Sequence, residues 1–106
     1  MNSQVFFVSD KVKQDFEELN NGKFEEKELS KWLINSFEGL ENNAFSGIQI
    51  PKKLFPKDYG HLDNLWKLNL PNAWRLLYTV NRDENNLIVI IIEWLNHKKY
   101  EKRFKY

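Results

Sequence analysis

Arg75 stands inside a run of β-forming residues, and His97 and Tyr100 lie three apart, with Lys98, Lys99, Lys102 and Arg103 crowded around them. Together with Lys67, these are the side chains that a metal-independent cleavage of RNA requires. In that reaction a ribose 2′-OH attacks its own adjacent phosphate, leaving a 2′,3′-cyclic phosphate and a 5′-OH. A base must sit near the 2′-OH, an acid near the leaving oxygen, and cations around the pentavalent phosphorane. The guanidinium fork of Arg75 suits two phosphate oxygens, and His titrates in the neutral range. The scheme gives Arg75 the phosphorane and His97 and Tyr100 the two proton transfers, with acid and base labels exchangeable. Lys67 assists by charge, and Lys98, Lys99, Lys102 and Arg103 supply affinity that falls with salt.

Each of these residues has a plainer reading. Arg75 can be a structural cation paired with Glu93, and Lys67 can be surface decoration. His97 follows Asn96 at a strand end, where a solvent-facing His is common, and Tyr100 can anchor the tail as an apolar side chain. Trp66, Trp74 and Trp94 are expected in the core.

The elements that must position these groups follow from periodicity. Gln4–Val8 is a short β-forming run, followed by Ser9-Asp10 as a helix N-cap pair. Val12, Phe16 and Leu19 recur at i, i+4 and i+7, which predicts an amphipathic helix. Asn20-Asn21-Gly22 is expected to end it through a left-handed cap. A second helix carries Leu29, Trp32, Leu33, Ser36, Phe37 and Leu40 on one stripe. The stretch from Asn42 to Asn64 contains Gly47, Pro51, Pro56 and Gly60, so it reads as a long loop, functional or anchored by Phe55 and Tyr59, with Ile48–Ile50 as a brief extended piece.

Beyond it, Leu65–Leu70 and Trp74–Val80 read as a strand hairpin. Trp66, Leu68 and Leu70 share one face of the first strand, and Trp74, Leu76, Tyr78 and Val80 one face of the second. Matching these apolar faces puts Lys67 and Arg75 together on the exposed side of the sheet and requires a loop of three or five residues around Pro71-Asn72. Leu87–Leu95 is apolar at nearly every position, as expected of a central strand covered on both faces. The predicted fold class is α+β, ordered β-α-α-β-β-β with a short terminal helix, its mainly antiparallel sheet packed against a helical hairpin.

Two segments carry a resemblance. Leu65-Trp66-Lys67-Leu68 with Trp74-Arg75-Leu76-Leu77-Tyr78 is similar to the hairpin of the RelE/ParE superfamily of toxin–antitoxin toxins. His97-Lys98-Lys99-Tyr100-Glu101 through Phe104 resembles the ending of many RelE-like members. The resemblance covers almost the whole chain. It implies the toxin of a type II toxin–antitoxin module: a messenger-RNA endoribonuclease, ribosome-associated, neutralised by a cognate antitoxin. It further implies that Arg75 binds the scissile phosphate and that Lys67 matches a lysine preceding that arginine. Tyr100 then falls at the tail tyrosine implicated in catalysis, and His97 takes the polar position before it, which is basic or His depending on the branch. Asn69 stands where some members carry a second lysine. ParE-type members share the fold but act on DNA gyrase, and a non-catalytic nucleic-acid-binding protein is a further alternative.

Composition bounds the rest. The 106 residues suffice for one domain, 1–106, and are too few for two. With no cysteine and only His61 and His97, neither a disulfide nor a Cys/His metal site is expected, and no cofactor. The longest apolar run, Leu87–Ile92, is far too short for a membrane span, so a cytoplasmic protein with no membrane partner is expected, oligomeric only through its antitoxin. Net charge is +1, yet residues 1–50 hold 5 Lys/Arg against 9 Asp/Glu and residues 51–106 hold 11 against 6. That asymmetry suits an anionic partner on one face.

Overall fold

Ser9 caps the first helix as its sequence predicts, accepting a hydrogen bond from the Val12 amide. A computed structural model describes residues 2–105. In chain order it contains β1 (Ser3–Phe7), α1 (Asp10–Glu18), α2 (Phe24–Asn42), β2 (Ile48–Gln49), β3 (Trp66–Asn69), β4 (Arg75–Asp83), β5 (Asn86–Leu95) and α3 (His97–Phe104). The protein is therefore α+β. Its five strands form one mixed sheet in the order β1-β5-β4-β3-β2, with β1 parallel to β5 and every other pair antiparallel.

The end of α1 differs from expectation. It tightens into a 3₁₀ turn, Leu19–Asn21, and Gly22 is extended, with no left-handed cap. The second helix starts only two residues later, so the chain must leave the turn extended. Glu26 also folds back to accept from the Lys23 amide and occupies the space a Cβ at Gly22 would need. The two helices pack their apolar stripes on one face of the sheet. Leu29, Leu33, Leu40, Leu76, Tyr78, Val89 and Ile91 form the centre of that core, and Phe7, Phe16 and Phe37 pack ring to ring at 5.3–5.6 Å at its edge.

The coverage of the strands is also redistributed. β4, the middle of five, is buried without interruption from Leu76 to Val80, whereas β5 alternates, with Leu87, Val89 and Ile91 buried and Ile88, Ile90 and Ile92 half-buried. A bulge in β5 opposite Leu77/Tyr78 shifts the phase. Through it Trp94 joins the helix-side core, while Leu95 joins a second apolar cluster. That second cluster lies on the other face, where Leu77 and Leu95 meet Ile50, Leu65, Tyr100 and Phe104. Phe55 and Tyr59 pack onto it, so the long loop is anchored by its aromatics as its sequence suggests. Asn64 closes the loop in place of a strand residue: its side chain accepts from the Val80 amide at 2.8 Å and donates to the Val80 carbonyl at 2.9 Å.

Candidate functional site

The hairpin register decides where the cations point. Lys67 pairs with Leu77 and Asn69 with Arg75, so Lys67 and Arg75 share one face, as the alternation predicts. The connection is the three-residue turn Pro71–Ala73, closed by a 2.8 Å hydrogen bond from the Leu70 amide to the Trp74 carbonyl. Asn72 and Ala73 adopt positive φ of 56° and 61°, a conformation Asn tolerates better than Ala.

That face is not left open. Asn96 caps α3 by accepting from the Lys99 amide, and the helix folds back so that Tyr100 and Phe104, one turn apart, cover Leu77 and Leu95. Lys67 and Arg75 are consequently half-buried rather than exposed. They converge on Tyr100. The Lys67 Nζ donates to the Tyr100 hydroxyl at 3.1 Å and sits 5.2 Å from its ring centroid, while the Arg75 guanidinium carbon lies 5.5 Å from the same centroid. Both geometries fall within cation–π range. Arg75 also donates to the Trp74 carbonyl at 3.2 Å, and its Nε is buried without a hydrogen-bond partner among the described residues. An ammonium, a guanidinium and a phenol thus gather from β3, β4 and α3, a set able to hold the oxygens of one phosphate. Tyr100 itself is only 3% exposed.

The remaining predicted residues divide. His97 lies in the first turn of α3 with its ring in solvent and its Nε2 against the Glu101 carboxylate, consistent with the plainer reading of a solvent-facing His. Arg75 does not pair with Glu93. That carboxylate takes Arg103 at 2.5 Å, and Arg103 also donates to the Tyr59 hydroxyl at 3.0 Å. Part of the charge expected of Arg103 is therefore spent on the fold. Burial pushes the Glu93 carboxyl above its ordinary range, against the opposing pull of Arg103. Lys98, Lys99 and Lys102 are exposed.

Lys53, Lys57 and Lys105 were not singled out by sequence reasoning for this site. They line a cleft of about 680 Å³ with Lys99, Lys102 and Arg103. The signal available was the excess of lysine after residue 50, but nothing in the spacing brings the loop lysines to the tail. Among the described residues no group of three or more His, Asp or Glu is placed to hold a metal. No helix of the described residues is long and apolar enough to cross a membrane. No family model, curated protein or solved structure matches the chain.

Proposed function

We propose that this protein is the toxin of a type II toxin–antitoxin module with a RelE-like fold, acting in the cytoplasm as a metal-independent endoribonuclease on messenger RNA. The observation that carries the reading is the convergence of Lys67 and Arg75 on Tyr100. Arg75 and Lys67 hold the scissile phosphate and stabilise the phosphorane. Tyr100, with His97 approaching from the first turn of α3, moves the protons of the 2′-OH and the leaving 5′-oxygen. Since Tyr100 lies on the buried face of α3, against Leu77 and Leu95, this reading requires the tail helix to shift when RNA binds. A cognate antitoxin that clamps α3 down or covers Lys67 and Arg75 would silence the site.

A second reading is favoured by one observation: His97 faces solvent against Glu101, and Tyr100 is buried. In that reading the protein keeps the fold but not the nuclease, and acts on DNA gyrase or another protein target. Mapping RNA ends after brief induction separates the two. New 5′-OH ends in messenger RNA support the ribonuclease; intact RNA with DNA damage refutes it.

A further inference from the structure

We infer that the cleft between α3 and the two 3₁₀ turns Lys52–Leu54 and Lys57–Tyr59 is a groove for consecutive phosphates of a single RNA strand. The choice of RNA rests on the ribonuclease reading above; the anion-binding groove itself does not. Its walls carry opposing charge-bearing side chains: Lys53 and Lys57 from the turns, and Lys99, Lys102, Arg103 and Lys105 from the helix and its end, against one acidic side chain among the described residues, Asp58. On the helix, Lys99 and Lys102 are i, i+3 neighbours with Cβ atoms about 5–6 Å apart, so cations recur along the cleft in a step comparable to that between phosphates of an unpaired strand.

Cations facing each other across a cleft enclose one backbone, whereas a duplex needs an open surface for two phosphate ridges. Apolar Leu54, 41% exposed, lines the same cleft beside Phe55 and offers bases a surface to lie on. Lysine binds phosphate as a point charge, and here the lysines carry the cleft's free charge because its one Arg is held by Glu93. Phe104 lines the cleft and packs on Tyr100 with centroids 4.5 Å apart. A strand lying in the groove therefore passes within one helical turn of the Lys67–Arg75–Tyr100 group.

The test uses the full chain and a fluorescein-labelled 2′-O-methyl oligouridylate of about ten nucleotides, within the site size of single-strand grooves. This probe cannot be cleaved by 2′-OH attack. Anisotropy is measured against KCl for wild type, Lys53→Gln/Lys57→Gln, and Lys13→Gln/Lys27→Gln as a charge-matched control. All four lysines are exposed, so thermal midpoints should be unchanged. Each lost phosphate contact lowers the log–log salt slope by about 0.7, so the cleft variant should lose about 1.4 of slope and roughly 25-fold in affinity at 0.1 M salt relative to 1 M. An unaltered slope and affinity overturns the proposal. So does an oligoglutamate peptide that binds as tightly and shows the same loss, which would make the partner an acidic protein. Cleft-dependent binding of the probe by a wild type that leaves ordinary oligouridylate uncut upholds the groove and removes the ribonuclease reading instead.

Discussion

The Lys67 ammonium donates to the Tyr100 hydroxyl at 3.1 Å although the two residues are 33 positions apart and on different elements, β3 and α3. If that contact belongs to a catalytic group, its loss should act on turnover. Tyr100→Phe keeps the ring that packs on Phe104 and should lower RNA cleavage roughly 10²–10⁴-fold, the usual effect of removing a proton-transfer group. Arg75→Ala should abolish cleavage and toxicity, with the circular dichroism of the fold retained. Wild-type toxicity from folded Arg75→Ala, His97→Ala and Tyr100→Phe variants would reject the ribonuclease reading.

Gly47 and Gly39 should respond to alanine with opposite signs. A Cβ at Gly47 meets the Tyr78 hydroxyl and the Lys67 carbonyl, while one at Gly39, within α2, meets nothing within 4 Å. Overpacking at the first site should cost about 1–3 kcal/mol. Gly39→Ala should gain about 0.5–1 kcal/mol from the lower entropy of the unfolded helix segment. Urea unfolding of the two variants measures both.

Tyr78→Phe isolates the polar half of the same contact. The Tyr78 hydroxyl is buried and accepts from the Gly47 amide at 3.0 Å, and burial raises its pKa. Removing the acceptor strands a half-buried amide, so a loss of about 1–3 kcal/mol is expected. A change below 0.5 kcal/mol, on the scale of an ordinary surface substitution, would show that water replaces the hydroxyl.

Much of this architecture was legible before the structure. The period of 3.6 in Val12, Phe16 and Leu19 and the period of 2 in Trp66, Leu68 and Leu70 are local signals, and they placed the helices, the hairpin and the common face of Lys67 and Arg75. What failed was non-local. The burial of β4 on both faces depends on α3 and the loop folding over Leu77 and Thr79, contacts invisible in the strand's own alternation. The partner of Glu93 was likewise beyond sequence reach, because Arg103 and Arg75 are equally plausible until the bulge and the tail helix fix which one lies beside it. For His97 the bland expectation of a solvent-facing side chain at a strand end matches its position.

The Glu93–Arg103 pair should leave a pH signature opposite to that of an ordinary surface ion pair. Burial raises the Glu93 carboxyl above its usual value more than Arg103 lowers it, with Asp58 adding to the rise. Between the unfolded and folded values, the native protein therefore binds more protons at this site than the unfolded chain, and stability falls as pH rises. The contribution is fully present below the unfolded value and is lost as pH passes through the folded one. Glu93→Gln keeps an acceptor for Arg103 but cannot ionise. Relative to it, the wild type should lose stability on going from about pH 4 to pH 7, read as a shrinking difference in urea midpoint. If the wild type instead gains on Glu93→Gln over that range, attraction to Arg103 outweighs burial, and the pair is a net stabilising bridge between β5 and α3.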